Sequence, residues 1–239
     1  AGLAYPADFP TTDGAFDPAA AARTGKAIVL IQNGIHSGEI DGKDASLMLL
    51  RDIVITKSKA ALLDHVILLV IPAYNVDGHE RFGPFNRINQ NGPEEMGWRV
   101  TAQNLNLNRD YLKADAPETQ AWLGLFTSWL PDFFVDCHVT DGADFQHALT
   151  YGIETHENVA GPVRSWINEN YIPYLDSKLS AEGISAVPYI FFKDDLDPLK
   201  GIVGYPAPPR FSTSYTILQN RPGLLIETRL LHWALGSEV

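Results

Sequence analysis

His36-Ser37-Gly38-Glu39 sets a histidine and a carboxylate three residues apart, just after the apolar run Ala27-Ile28-Val29-Leu30-Ile31. At a strand-to-helix junction that spacing lets both side chains reach one ion. A catalytic zinc takes three protein ligands, often two histidines and one glutamate, and keeps a fourth position for water. The tetrapeptide also reads as an exposed histidine followed by a first-turn glutamate favoured by the helix dipole. It therefore needs partners elsewhere in the chain before it can carry chemistry.

A third ligand belongs at the end of another strand in the same sheet. His138, closing Phe133-Phe134-Val135-Asp136-Cys137-His138, holds that position, although a lone histidine there also fits a purely structural role. Ligand sites in open α/β sheets lie at the carboxyl edge of the strands. Asp136 shares a face with His138 by strand alternation, and Asp41 follows the first two candidates closely. Either could orient a liganding histidine.

Glu227 ends the apolar run Gly223-Leu224-Leu225-Ile226. A carboxylate at the end of such a strand is costly to bury unless it is paired or used. Beside a metal it is suited to be a general base. Otherwise it is a salt-bridge partner for Arg229 or Arg210. Asn104-Leu105-Asn106-Leu107-Asn108-Arg109-Asp110-Tyr111 adds Asn108 and Arg109, and an arginine fork grips a carboxylate with two hydrogen bonds. On its own this segment is a polar turn.

The elements that must position these groups alternate in type. Ala27–Gln32, Val66–Ile71, Phe133–His138, Gln146–Gly152, Ala186–Phe192 and Leu224–Thr228 read as strands. Asp41–Thr56 reads as a helix with Leu47, Leu50 and Val54 on one face. Pro117–Leu130 is a second helix, and Val159–Leu179 a third with a kink at Pro173. The strands are too apolar to alternate cleanly, which predicts an α/β fold: a mixed, largely parallel twisted sheet with helices on both faces. Residues 73–110 and 193–215 lack a period and read as binding walls or lids.

The 239 residues suffice for one domain. A net charge of −11 without a basic run disfavours nucleic acid and anionic membranes as partners. No apolar stretch approaches the ~20 residues of a membrane span. Cys137 is the only cysteine, so neither an intrachain disulfide nor a cysteine-rich metal site is expected. The chain starts at Ala1 without a signal-like segment, so both periplasmic or secreted and cytoplasmic locations stay open. Nothing in the pattern specifies an oligomeric state.

H-x-x-E, then Asn-Arg, then a strand-ending His, then a strand-ending Glu follow one another in an order that resembles the zinc carboxypeptidases typified by carboxypeptidase A. The resemblance runs from about Lys26 to the C-terminus. It includes Pro72-Ala73-Tyr74-Asn75-Val76-Asp77-Gly78, which is similar to that family's proline-x-x-Asn-x-Asp-Gly turn, and Glu227-Thr228-Arg229. It implies one zinc per chain on His36, Glu39 and His138, with Glu227 as the base that activates water and passes the proton to the leaving amine. It further implies that Arg99, in Trp98-Arg99, polarises the scissile carbonyl, with Arg87 as the other candidate. Asn108 and Arg109 would hold the substrate's terminal carboxylate, and Tyr205, or else Tyr215, would close over it.

Two departures stand out. That family usually carries a strand pair ahead of the first ligands, and only 25 residues precede Lys26, so edge strands of the single domain 1–239 are expected to be lacking. The wall from Arg210 to Tyr215 holds Ser212 and Ser214 but no acid, which speaks against basic C-terminal side chains. The implied function is a metallocarboxypeptidase. Alternatives are a zinc deacylase acting on N-acyl amino acids, a hydrolase of peptidoglycan or other non-standard peptides, and a non-catalytic binding module of the same fold. Each enzyme would take a substrate with a free carboxylate.

Overall fold

In a computed structural model, residues 11–12, 15–16, 25–88, 90, 92–140, 146–194, 197–204 and 207–229 are described. Thr11–Thr12 (β1) and Ala15–Phe16 (β2) pair antiparallel. The Val- and Ile-rich runs Ala27–Asn33 (β3) and Val66–Ile71 (β4) then pair in parallel. Phe133–Val139 (β5), Leu149–Ile153 (β6) and Ala186–Pro188 (β7) follow, then Phe191–Phe192 (β8), Ile202–Val203 (β9) and Gly223–Thr228 (β10). The main sheet has six strands in the order β4-β3-β5-β10-β6-β7. Strands β4, β3, β5 and β10 run parallel, whereas β6 is antiparallel to β10 and parallel to β7. The fold is thus mixed α/β with a largely parallel sheet.

Among the described residues the α-helices are Asp41–Val54 (α1), Val76–Glu80 (α2), Pro117–Trp129 (α3), Gly161–Trp166 (α4), Ile172–Ala181 (α5) and Ser212–Leu218 (α6). The main core joins Leu30 of β3 and Phe134 of β5 to Trp122 and Phe126 of α3 and to Tyr111. Trp122 stacks on Phe126 with ring centroids 4.9 Å apart. Alternation along β5 buries Phe134, Asp136 and His138 on one face. The strand therefore starts in the aromatic core and ends at the carboxyl edge with two polar side chains in line.

Several elements differ from the sequence expectation. Helix α1 buries Ser46 and Ile53, while Leu47 and Val54 are about half exposed, at 52% and 47%. Small residues dock this helix: a Cβ on Gly42 would lie 2.3 Å from Cys137 Cβ, and Asn33 Nδ2 donates to Ser46 Oγ at 3.0 Å. Every residue of the edge strand β4 is partly exposed.

The helix expected over Val159–Leu179 contains a π-turn, Ile167–Tyr171, between α4 and α5. Pro173 cannot donate to the preceding turn, and the widened turn just before it accommodates that loss without ending the helix. The strand expected over Ala186–Phe192 divides: β7 joins the main sheet, and β8 pairs with β9 in a separate ribbon. The supposedly aperiodic stretch 193–215 contains β9 and the start of α6.

Candidate active site

His36, Glu39, His138 and Glu227 meet at the carboxyl edge because three parallel strands deliver them. β3 leads into the loop holding His36 and Glu39, β5 ends next to His138, and β10 places Glu227 in register with His138. Backbone hydrogen bonding within the loop, Glu39 N to His36 O at 3.0 Å, folds the tetrapeptide so that its two side chains converge.

His36 Nδ1 lies 2.9 Å from Glu39 Oε1, and His138 Nδ1 lies 2.8 Å from Glu39 Oε2. One donor atom from each of the three residues falls within 4.8 Å of the others, and all three side chains are buried. The opposite nitrogens are engaged as well. His36 Nε2 is 3.3 Å from Asn106 Oδ1, and His138 Nε2 is 3.0 Å from Asp136 Oδ2. Such outer partners fix the ring orientation and tautomer of metal-binding histidines.

Burial pushes His36 down to about 4, leaving it a neutral imidazole. For Glu39 burial alone would raise the pKa, but His36 and His138 outweigh it and hold the carboxylate well below its usual range. Burial would likewise lower His138, yet Asp136 and then Glu39 outweigh it and hold it well above the usual histidine value. Two imidazole nitrogens and one carboxylate, oriented from behind and opening on a cavity, are the donor set of a catalytic zinc.

The orienting shell extends into the core. Gln32 Nε2 donates to Asp136 Oδ1 at 2.9 Å, and Tyr111 Oη donates to Gln32 Oε1 at 3.1 Å. Ser212, the first residue of α6, donates through its hydroxyl to Asp136. Asp41, the other candidate for orienting a histidine, instead accepts from Thr228 Oγ1 at 2.7 Å and ties α1 to β10.

A cavity of about 790 Å³ opens over the cluster. His36, Glu39, His138, Glu227, Arg99, Asn108 and Arg109 all line it, so the structure brings together seven of the eight residues singled out by the sequence. The eighth, Tyr205, lies outside the described residues. Tyr215 sits in the aromatic core, its ring 6.0 Å from Tyr111 and 6.2 Å from Phe126, away from the cavity wall.

The two arginine candidates separate clearly. Arg99 lines the cavity with Nη1 3.8 Å from Glu39 Oε1 and is partly exposed. Arg87 is buried behind the cluster and donates through Nη2 to the same oxygen at 2.8 Å. Its close approach depends on Gly38, where a Cβ would lie 2.8 Å from Arg87 Cγ. The backbone carrying Arg99 is fixed by Asn75, whose side chain accepts from Gly78 N at 3.0 Å and donates to Arg99 O at 3.3 Å. Arg109 rests over the Phe211 ring, 4.1 Å from its centroid, and donates to Asn108 O at 2.6 Å.

A family model described as zinc carboxypeptidase matches residues 11–143, more than half of the chain. The chain belongs to the zinc carboxypeptidase family. It is 28% identical over 175 residues to Carboxypeptidase 2 of Trichophyton rubrum, a match covering 69% of this chain and 30% of that protein. The chain therefore spans about a third of the length of the curated relatives it matches.

Among solved structures, a metallo-carboxypeptidase from Burkholderia cenocepacia superposes with a TM-score of 0.63 at 19% identity, covering 96% of this chain and 52% of that one. A metallo-carboxypeptidase from Pseudomonas aeruginosa, solved with (2-guanidinoethylmercapto)succinic acid, gives 0.59 at 16% identity over 90% and 51% of the two chains. At these identities the superpositions establish the fold. The zinc dependence of the family agrees with the donor set of His36, Glu39 and His138.

Sequence reasoning passed over Arg87 as a partner of Glu39, Asn106 as a partner of His36, and Glu154 as part of the cavity wall. Asn106 stands two residues before Asn108, and that spacing was the one available signal. Glu154 adds a carboxylate to the cavity wall outside the segment from Arg210 to Tyr215. It follows β6, lines the cavity, and accepts from Ser214 Oγ at 3.3 Å.

Proposed function

We propose that residues 1–239 act as one catalytic domain, a zinc carboxypeptidase that hydrolyses the C-terminal peptide bond of a peptide with a free carboxylate. The observation that carries this reading is the shared cavity, with a metal-binding triad and Glu227 at one place and Asn108 and Arg109 on the same wall. A base alone would serve many hydrolases; a base beside a preset carboxylate fork selects the chain terminus.

When bound to His36, Glu39 and His138, one zinc would supply Lewis acidity and a water with a pKa near about 7. Arg109, held over Phe211, and Asn108 would fix the terminal carboxylate, so the scissile bond is presented at a set depth. Glu227 would take the proton of the attacking water and return it to the departing amine nitrogen. Arg99 faces the cavity and would hold the carbonyl oxygen as negative charge develops there, an effect typically worth about 3–4 kcal/mol. Arg87, already committed to Glu39 behind the cluster, is not suited to that task.

The test is mass spectrometry of a mixed peptide pool incubated with the zinc-loaded chain, with and without a chelator. Loss of single C-terminal residues that stops with chelator is the expected result. No truncation at full zinc loading overturns the reading, and N-acyl amino acids would then be the next substrates to try.

A further inference from the structure

Ser212 reaches two parts of the site at once. Its hydroxyl donates to Asp136, and its backbone N–H donates to Asn108 Oδ1 at 3.4 Å. Asp136 Oδ2 in turn lies 3.0 Å from His138 Nε2, and Asn108 Nδ2 stands 3.5 Å from the same ring nitrogen. His138, Asp136, Ser212 and Asn108 thus close a ring between the metal triad and the carboxylate fork. From that ring we infer that Ser212 is a positioning residue that couples the two sites, so that a metal ion on the triad and a carboxylate on Asn108 and Arg109 each tighten the binding of the other. The inference rests on the carboxypeptidase reading, which assigns both ligands, and adds a linkage between them.

Local structure sets this serine between the two. It is the first residue of α6, so its N–H has no partner within the helix, and Asn108 supplies one from outside. All four members of the ring are buried, where hydrogen bonds are stronger than in water. Neighbouring residues fasten the same segments together. Arg210 O accepts from Tyr111 N at 3.3 Å, and the Phe211 ring centroid lies 4.1 Å from Arg109 Cζ. On its other side α6 sits directly on β10, where a Cβ on Gly223 would meet Thr216 Oγ1 at 2.6 Å and Thr213 Cα at 3.0 Å. Residues 210–212 are therefore held to segment 108–111 and to the sheet together.

The ring transmits occupancy through its donors and acceptors. His138 Nδ1 faces Glu39, so a metal in the triad takes that nitrogen and leaves the ring proton on Nε2, which gives it to Asp136 Oδ2. A ring nitrogen that carries its proton cannot accept from Asn108 Nδ2. The amide donors of Asn108 are then available to a carboxylate in the cavity, while Ser212 N holds the carbonyl end of the same amide. Asp136 is kept from turning away, because Gln32 Nε2 donates to its other oxygen at 2.9 Å. A tighter His138–Asp136 bond is therefore passed to Ser212 and on to Asn108. Linkage is reciprocal, so a carboxylate must tighten the metal by the factor by which the metal tightens the carboxylate.

The experiment measures zinc affinity by competition with a chromogenic chelator, with and without saturating free leucine, an amino acid of the kind a carboxypeptidase releases. Calorimetry gives leucine affinity with and without zinc. In wild type the two ratios should agree, at about 5–150-fold. Part of that factor is through-space attraction between metal and carboxylate, which a change at Ser212 leaves in place. In Ser212→Ala the factor should fall by about 2–30-fold, whereas Ser212→Thr, which keeps the hydroxyl, should retain it. Ser212→Cys, a weaker donor, should lose most of it and stands in if the alanine variant does not fold. A serine with a merely structural role would weaken both ligands and leave the ratio alone. An equal factor in wild type and Ser212→Ala overturns the inference, as does a wild-type factor of one or a zinc-loaded chain that binds no leucine. If the coupling follows Ser212 yet no peptide is cleaved, the carboxypeptidase reading fails and the role of Ser212 stands.

Discussion

Glu227 and His138 are Cα partners in the parallel register of β10 and β5, one strand spacing apart at the carboxyl edge of the sheet. Neighbouring strands lie about 4.8 Å apart. The proposed base is therefore held against a proposed metal ligand by backbone hydrogen bonding on both strands. No loop has to close to bring the two together.

Asn106 should tighten the metal through His36. Its Oδ1 lies 3.3 Å from His36 Nε2, on the side away from the cluster. Removing such an outer partner typically weakens metal binding by about 10–100-fold. Asn106→Ala should show that loss in competition with a chromogenic zinc chelator. Affinity equal to wild type would detach Asn106 from the metal centre.

Arg87 should matter most when metal is absent. The pair Arg87 Nη2–Glu39 Oε1 at 2.8 Å has both side chains almost wholly buried. Deleting one member of a buried pair typically costs about 3–5 kcal/mol, because the other charge is left uncompensated. Arg87→Met should therefore be destabilised in chelator. Zinc, by occupying Glu39, should recover more stability in this variant than in wild type. Urea denaturation with and without zinc measures both quantities, and an equal zinc increment in the two proteins would contradict this role.

Much of this site was legible because its signals are local. His36, Glu39, His138 and Glu227 each close or follow an apolar run, and strand ends at the carboxyl edge converge by topology alone. Helix α6 was not legible for the opposite reason. Ser212, Thr213, Ser214 and Thr216 are its buried residues along with Ile217, so it shows no apolar stripe, and its hydroxyls serve Asp136 and Glu154. Arg87 and Glu154 act across 48 and 60 residues of sequence, on Glu39 and from Ser214 respectively, and no periodicity reports such contacts.

Gly42 should resist replacement although it lies in a helix. Helix propensity favours alanine over glycine by up to about 1 kcal/mol. A Cβ there would meet Cys137 Cβ at 2.3 Å and Asn33 Oδ1 at 2.8 Å. Overpacking of this kind typically costs about 1–3 kcal/mol, so Gly42→Ala should unfold at lower denaturant than wild type. A stabilised variant would mean that α1 stands further from β5 than described.

The central claim is tested most directly by measuring zinc content and turnover together in Glu227→Gln. Glutamine keeps the size of the side chain but cannot take a proton, and positioned general bases typically contribute about 10²–10⁴-fold. One zinc per chain with a turnover loss in that range is the predicted result. Full zinc with undiminished turnover of a C-terminal peptide substrate would contradict the account, because the register that sets Glu227 beside His138 would then have no part in the chemistry.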